Sequence, residues 1–101
     1  KNVLWSRKDI NREQLLNRFP ELAEFAGSPG ISTGFLIDRA GLKGRTAGGA
    51  KVSERHGNFF LNTGGASAED VITLIGIAKE NVQRKFGILL EEEIQYIGFS
   101  A

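Results

Sequence analysis

An amphipathic segment over about residues 68–86 constrains the fold of this chain more strongly than any other feature. Its apolar residues recur at the i, i+3, i+4, i+7 spacing of one helix face: Val71, Leu74, Ile75, Ala78, Val82 and Phe86. Ser67 and Asp70 form a capping pair at its start, and Gly87 is placed to end it. A helix with one apolar face has to bury that face against a second layer, which the rest of the chain must supply.

Candidate strands for that second layer lie on both sides of the helix. Residues 45–52, which Gly48-Gly49 loosens, and residues 58–63, rich in aromatic and branched side chains, predict two strands before it. Residues 88–97 predict a final strand after it, and residues 32–40 predict a shorter helix. This order predicts an α+β fold of two layers, with helices packed on a small mixed sheet.

The first 31 residues have a different character. Asn11 and Gln14 have the spacing of a capping box, and a short apolar helix face follows them. Pro20 ends that helix or begins a new one, and Gly27 to Gly30 form a turn. We therefore predict a helical, insertion-like excursion over residues 1–31, attached to a compact domain over residues 32–101.

Composition limits the classes of function. A chain of 101 residues with 41% hydrophobic content is one small domain. Thirteen basic and twelve acidic residues give a net charge of +1, so we expect neither nucleic acid nor a membrane surface as a partner. The chain has no cysteine and one histidine, so no thiolate or multi-histidine metal site is expected. The absence of cysteine, and so of disulfides, fits the reducing cytoplasm. The start at Lys1 rather than Met suggests an excised or processed piece.

Three consecutive acids, Glu91-Glu92-Glu93, are the first candidates for chemistry. If this segment is a strand, Glu92 and Glu93 lie on opposite faces, and apolar Ile94 and Tyr96 favour an inward, desolvated Glu93. The alternative is a solubilising run of exposed charge, which composition alone favours.

His56 and two glycine-rich segments are the other candidates. His56 lies in a predicted polar loop, where it contacts a phosphate or a base, or else is a structural imidazole. Residues 41–45 and 47–51 set lysine and arginine beside glycine-rich backbone, which suits a diphosphate. The alternative is that these glycines serve a helix cap and a strand bulge.

Three motifs in sequence order resemble the C-terminal domain of the UDP-N-acetylenolpyruvoylglucosamine reductase family. The family's A-G-x-L-I-x-x-A-G-L-K-G corresponds to residues 33–44, G-G-A-x-V-S-x-x-H-x-N-F-x-x-N to residues 48–62, and L-E-P-E-V-R-x-I-G to residues 90–98. The resemblance implies a cytoplasmic flavoenzyme of peptidoglycan synthesis that passes a hydride from NADPH through FAD to the enolpyruvyl group of a UDP-sugar. It also implies that the catalytic arginine and nearly all FAD contacts belong to earlier domains, and that the catalytic serine lies just before Lys1, so the piece alone is expected to be inactive.

The same resemblance assigns roles to four residues. Glu93 falls on the second acid of the L-E-P-E motif, which stabilises the enolate-like intermediate. Lys1-Asn2 resemble the end of the family's G-S-x-F-K-N motif, so Asn2 is expected to help hold the diphosphate. Lys43 and His56 are expected to contact the substrate.

Two departures from the motif and two other functions stay open. Glu92 replaces the family's proline, and Gln95 replaces its arginine, which weakens any inference about charge near Glu93. A stand-alone nucleotide-sugar or anion-binding module is the first alternative function, and a structural domain with a decayed site is the second.

Overall fold

The computed structural model describes residues 2–54, 59–91 and 95–96, with the backbone alone for residues 59–62 and 95–96. In chain order, the elements are β1 (Asn2–Leu4), α1 (Arg12–Arg18), a 3₁₀ helix (Pro20–Phe25), β2 (Gly30–Ser32), α2 (Thr33–Arg39), β3 (Thr46–Ala47), β4 (Ala50–Val52), β5 (Phe59–Asn62), α3 (Ala68–Phe86) and β6 (Gln95–Tyr96). The main sheet has the order β3-β4-β5-β6, and only its β5–β6 pair is parallel among the described strands. The predicted α+β class with a small mixed sheet is confirmed.

Helix α3 has the bounds that the capping pattern predicted. The Ser67 hydroxyl accepts the Asp70 N–H at 3.0 Å, and the Asp70 carboxylate accepts the Ser67 N–H at 3.1 Å, which completes a capping box. Gly87, at φ +73°, ends the helix in the left-handed conformation that glycine adopts most easily. The buried stripe of α3 consists of Leu74, Ala78, Val82 and Phe86.

The core is shared by both parts of the chain. The side chains of Val3 and Leu22, from the N-terminal segment, are as fully buried as that of Leu74 in α3. Burying each such side chain contributes about 1.5–3 kcal/mol. Within the part of the chain that the structure describes, no helix is long and apolar enough to cross a membrane.

A two-stranded sheet that the sequence did not predict joins the beginning and the end of the N-terminal segment. Strand β1 pairs antiparallel with β2, so that Leu4 lies opposite Gly30. Trp5 adds two hydrogen bonds beside this sheet. Its backbone N–H donates to Pro29 O at 3.0 Å, and its indole Nε1 donates to Phe25 O at 2.9 Å. Asn11 caps α1 as predicted, and Pro20 begins the 3₁₀ helix.

Two predicted strands differ from the structure. The strand over residues 45–52 is a hairpin, β3 and β4, with its turn at Gly48-Gly49. The strand predicted from residue 88 starts too early, because residues 88–90 form no strand. They keep an alternating burial, with Ile88 and Leu90 inside, but the carbonyl of Leu89 accepts from the Arg7 guanidinium at 2.8 Å.

Candidate functional site

Lys43 lies in a turn that follows α2. Ser32 caps this helix, its hydroxyl accepting the Phe35 N–H at 3.2 Å. Leu42 buries its side chain in the core, and the neighbouring Lys43 faces solvent. The Lys43 ammonium lies 3.6 Å from the Asp38 carboxylate, and about half of the Lys43 side chain is exposed. A half-exposed ammonium in this position is accessible to an anionic ligand.

The turn that carries Lys43 is attached to one end of β4. Gly44 N–H donates to Val52 O at 3.0 Å, and Val52 N–H donates to Arg45 O at 2.9 Å. Val52 is the last residue of β4 and pairs with Phe60 of β5. Lys43 therefore lies at the edge of the sheet formed by the end of β4 and the start of β5, that is, at the ends of the strands and not along an outer strand.

The first residues of β5 and β6 lie at this same edge. The two strands are parallel, and Phe59 is the register partner of Gln95. In sequence, His56 comes three residues before Phe59, and Glu93 comes two residues before Gln95. His56 and Glu93 themselves lie outside the described residues.

Asn2 is not brought next to Lys43. It is exposed on β1 and pairs with Ser32, the N-cap residue directly before α2. Lys43 follows the other end of that seven-residue helix, which is about 10 Å long. The two residues can share only a ligand that extends along α2.

The turn at Gly48-Gly49 favours the structural alternative for its glycines. The N–H of Gly49 donates to the Asp70 carboxylate at 3.2 Å, so a phosphate would have to displace this bond. The nearby Lys51 ammonium contacts the Glu54 carboxylate at 2.9 Å, and this hydrogen bond lowers the pKa of Glu54. We find no reason here to assign residues 47–51 to a diphosphate.

Sequence reasoning missed a cleft between the N-terminal segment and the end of α3. Its volume is about 140 Å³, and it is lined by Asp9, Ile10, Asn11, Gln14, Leu15, Arg18, Phe86, Gly87 and Ile88. The Arg7 guanidinium donates to the Asp9 carboxylate at 2.9 Å and thereby lowers the pKa of Asp9. None of the predicted site residues lines this cleft, which is also smaller than the usual 300–1,000 Å³ of a cofactor site.

A family model and individual relatives all match this chain to the same protein family. The model described as "UDP-N-acetylenolpyruvoylglucosamine reductase, C-terminal domain" matches residues 11–97. UDP-N-acetylenolpyruvoylglucosamine reductase 1 of a Bacillus cereus strain is 43% identical over 98 residues, which cover 96% of this chain and 33% of the relative. The reductase of Caldicellulosiruptor bescii is 47% identical over 105 residues, covering 91% and 33%.

A solved structure gives the same result for the fold. The crystal structure of UDP-N-acetylenolpyruvylglucosamine reductase from Thermus caldophilus superposes with a TM-score of 0.51 at 34% identity. The match covers 88% of this chain and 36% of that chain. The present chain thus spans about a third of the length of the curated relatives that it matches.

Proposed function

Because the chain belongs to the family of UDP-N-acetylenolpyruvoylglucosamine reductase C-terminal domains, we propose that it is the substrate-binding part of such a reductase. The complete enzyme converts UDP-N-acetylenolpyruvoylglucosamine to UDP-N-acetylmuramate in the peptidoglycan synthesis of a bacterial cytoplasm. Residues 32–101 form the substrate-binding domain, and residues 1–31 form an insertion on it. Neither nucleic acid nor a membrane is a partner.

The start of β5 beside β6 is the observation that carries this proposal. Neighbouring strands lie about 4.8 Å apart, and one residue spans at most about 3.6 Å. His56 precedes Phe59 by three positions and Glu93 precedes Gln95, the register partner of Phe59, by two, so the chain is short enough for both to act near the starts of β5 and β6. Lys43 is held near the same edge by the bonds between its turn and Val52. This arrangement supports a site built by Lys43, His56 and Glu93 together.

Each of these side chains has a chemical task in the proposed site. Lys43 and His56 contact the negatively charged UDP-sugar, and Asn2 holds its diphosphate from the far end of α2. Reduction of the enolpyruvyl double bond builds negative charge on the substrate carboxylate. Glu93, as a protonated acid, donates a hydrogen bond to that carboxylate, and this bond is strongest when the charge is greatest.

The cofactors of the proposed reductase are FAD and NADPH. The described cleft of about 140 Å³ is too small for a flavin dinucleotide. We propose that the earlier domains of the same enzyme bind FAD, and that they are the main partner of this chain.

Glu93→Gln in the complete reductase tests the proposed role of Glu93. We expect kcat to fall at least about a hundredfold while KM for the UDP-sugar changes little, because the lost interaction is made in the transition state. Glu92→Gln is the matched control, since the adjacent acid has the same chemistry and is expected on the opposite strand face. Near-normal turnover of Glu93→Gln would refute the role of Glu93.

An NMR titration of the isotope-labelled chain separates the proposed function from its two alternatives. We expect the enolpyruvyl UDP-sugar to shift the signals of Lys43, His56 and Glu93, and FAD to shift few signals. Binding of many unrelated nucleotide sugars with equal affinity would favour a stand-alone binding module. A complete enzyme that neither binds nor reduces the UDP-sugar would favour a decayed site.

A further inference from the structure

Strand β4 is also held by hydrogen bonds at the end opposite the candidate site. There a single carboxylate oxygen of Asp70 accepts the Gly49 N–H at 3.2 Å and the Ser67 N–H at 3.1 Å. Asp70 lies in the first turn of α3, and Gly49 directly precedes β4. One side chain thus joins the start of the long helix to the start of a sheet strand.

The carbonyl of Gly49 is held as well. It accepts the Thr63 N–H at 2.8 Å and the Thr63 hydroxyl at 3.0 Å. A Cβ on Gly49 would lie 2.5 Å from Gly64 O and 2.7 Å from Ala66 N, so the backbone segments are in close contact here. Gly49 is consequently fixed from its N–H side by Asp70 and from its carbonyl side by Thr63.

This fixed point is one of the contacts that orient β4, which also pairs with β3 and β5. The strand has three residues and is about 10 Å long. A tilt of about 10° at Gly49 would therefore move its far end by about 1.7 Å. The far end is Val52, which bonds to the turn that carries Lys43 and precedes the segment that contains His56. Displacements of about 1 Å are large enough to weaken binding or catalysis substantially.

We propose that Asp70 is a positioning residue for the UDP-sugar, acting through β4 on the edge where the turn that carries Lys43 is bonded to Val52. The inference rests on the proposed function, because it takes that edge to be the substrate site. Asp70 itself contacts no substrate in this arrangement. The hydrogen bonds from the backbone N–H groups of Ser67 and Gly49 lower the pKa of Asp70, so the carboxylate stays ionised at neutral pH.

Steady-state kinetics of the complete reductase test this role, with four variants compared. Asp70→Ala removes both bonds, and we expect it to raise KM for the UDP-sugar at least about tenfold with kcat within about twofold. Asp70→Asn keeps an acceptor oxygen for the Gly49 N–H and should restore KM to within about threefold of the wild type. Thr63→Val removes one bond to the Gly49 carbonyl and should raise KM about threefold.

Ser67→Ala is the matched control. It removes the other half of the same capping box and destabilises α3, yet it leaves the bond between Asp70 and Gly49 in place. We expect its KM to equal that of the wild type, although its unfolding midpoint falls. An equal rise of KM in Ser67→Ala and Asp70→Ala would overturn the proposal, since both would then act through stability alone.

The remaining outcomes separate this inference from the proposed function. If the wild-type enzyme reduces the UDP-sugar and Asp70→Ala has an unchanged KM, only the positioning role is overturned. If the wild-type enzyme has no such activity, the proposed function is overturned and the role of Asp70 with it. Should Asp70→Ala not fold, an unchanged KM in Thr63→Val overturns the route through Gly49 on which the role depends, and a raised KM there supports that route.

Discussion

The same substitution at two glycines should change the stability of this chain in opposite directions. Gly76 is exposed in the middle of α3, and a Cβ built on it would meet no atom within 4 Å. Glycine in a helix interior costs about 1 kcal/mol relative to alanine, so Gly76→Ala should raise the free energy of unfolding by about that amount. For a domain of this size, this corresponds to a melting temperature about 4–8 °C higher.

Gly49→Ala adds the same methyl group where there is no room for it. The new Cβ would lie 2.5 Å from Gly64 O, 2.7 Å from Ala66 N and 2.9 Å from Ala66 Cα, all of them backbone atoms that no rotamer change can move. The turn before β4 would have to shift away. Overpacking costs about 1–3 kcal/mol, and each weakened hydrogen bond at Gly49 adds about 0.5–1.5 kcal/mol. We therefore expect a loss of about 3 kcal/mol.

Urea unfolding followed by circular dichroism measures both effects. The two variants should differ by about 4 kcal/mol in the free energy of unfolding, with similar slopes against urea concentration. A wild-type midpoint for Gly49→Ala would refute the close packing inferred at this turn. A lower midpoint for Gly76→Ala would show that the exposed face of α3 is contacted by another part of the protein.

Two further predictions concern the groups that cap and pair on the surface. Ser67→Ala should lower the free energy of unfolding by about 1 kcal/mol, because α3 loses its N-cap, and an unchanged urea midpoint would contradict the capping role. Stability should also fall as the pH is lowered below about 5, because the hydrogen bonds that Asp9, Glu54 and Asp70 accept lower their pKa values in the folded state. The contribution of such a group is complete above its ordinary pKa and is lost as the pH falls through the folded one. Asp70→Asn should therefore show a shallower pH dependence than the wild type in urea titrations at several pH values, and equal slopes would contradict this.

Elements whose signals are local were predicted well from the sequence. Helix α3 begins after Ser67 and ends at Phe86 as predicted, because its cap, its apolar stripe and Gly87 all lie within the element itself. Helix α2 differs from its prediction by one residue at each end. The pairing of β1 with β2 was missed, since each strand has three residues and is stabilised by a partner far away in the sequence.

The candidate site likewise combines features that the sequence predicted with features that it did not. Lys43 was chosen from a motif, and the structure adds that its turn is bonded to Val52. The bond between Asp70 and Gly49 was not predicted, because the capping box alone explains an acid at this position. A second partner for the same carboxylate, 21 positions away, leaves no trace in local sequence patterns. The roles of Asn2, Lys43, His56 and Glu93 all stay predictions.

The packing of Trp5 gives this protein an internal optical reporter. It is the single tryptophan of the chain, it is 9% exposed, and the guanidinium of Arg12 lies over its ring at 5.5 Å. The indole Nε1 donates to Phe25 O and the backbone N–H of Trp5 donates to Pro29 O, so we expect the buried ring to emit at short wavelength. Separation of β1 from β2 should shift that emission to the red. Loss of the packing around Trp5 can therefore be followed by intrinsic fluorescence, without a label, and compared in time with the unwinding of α3 followed by circular dichroism.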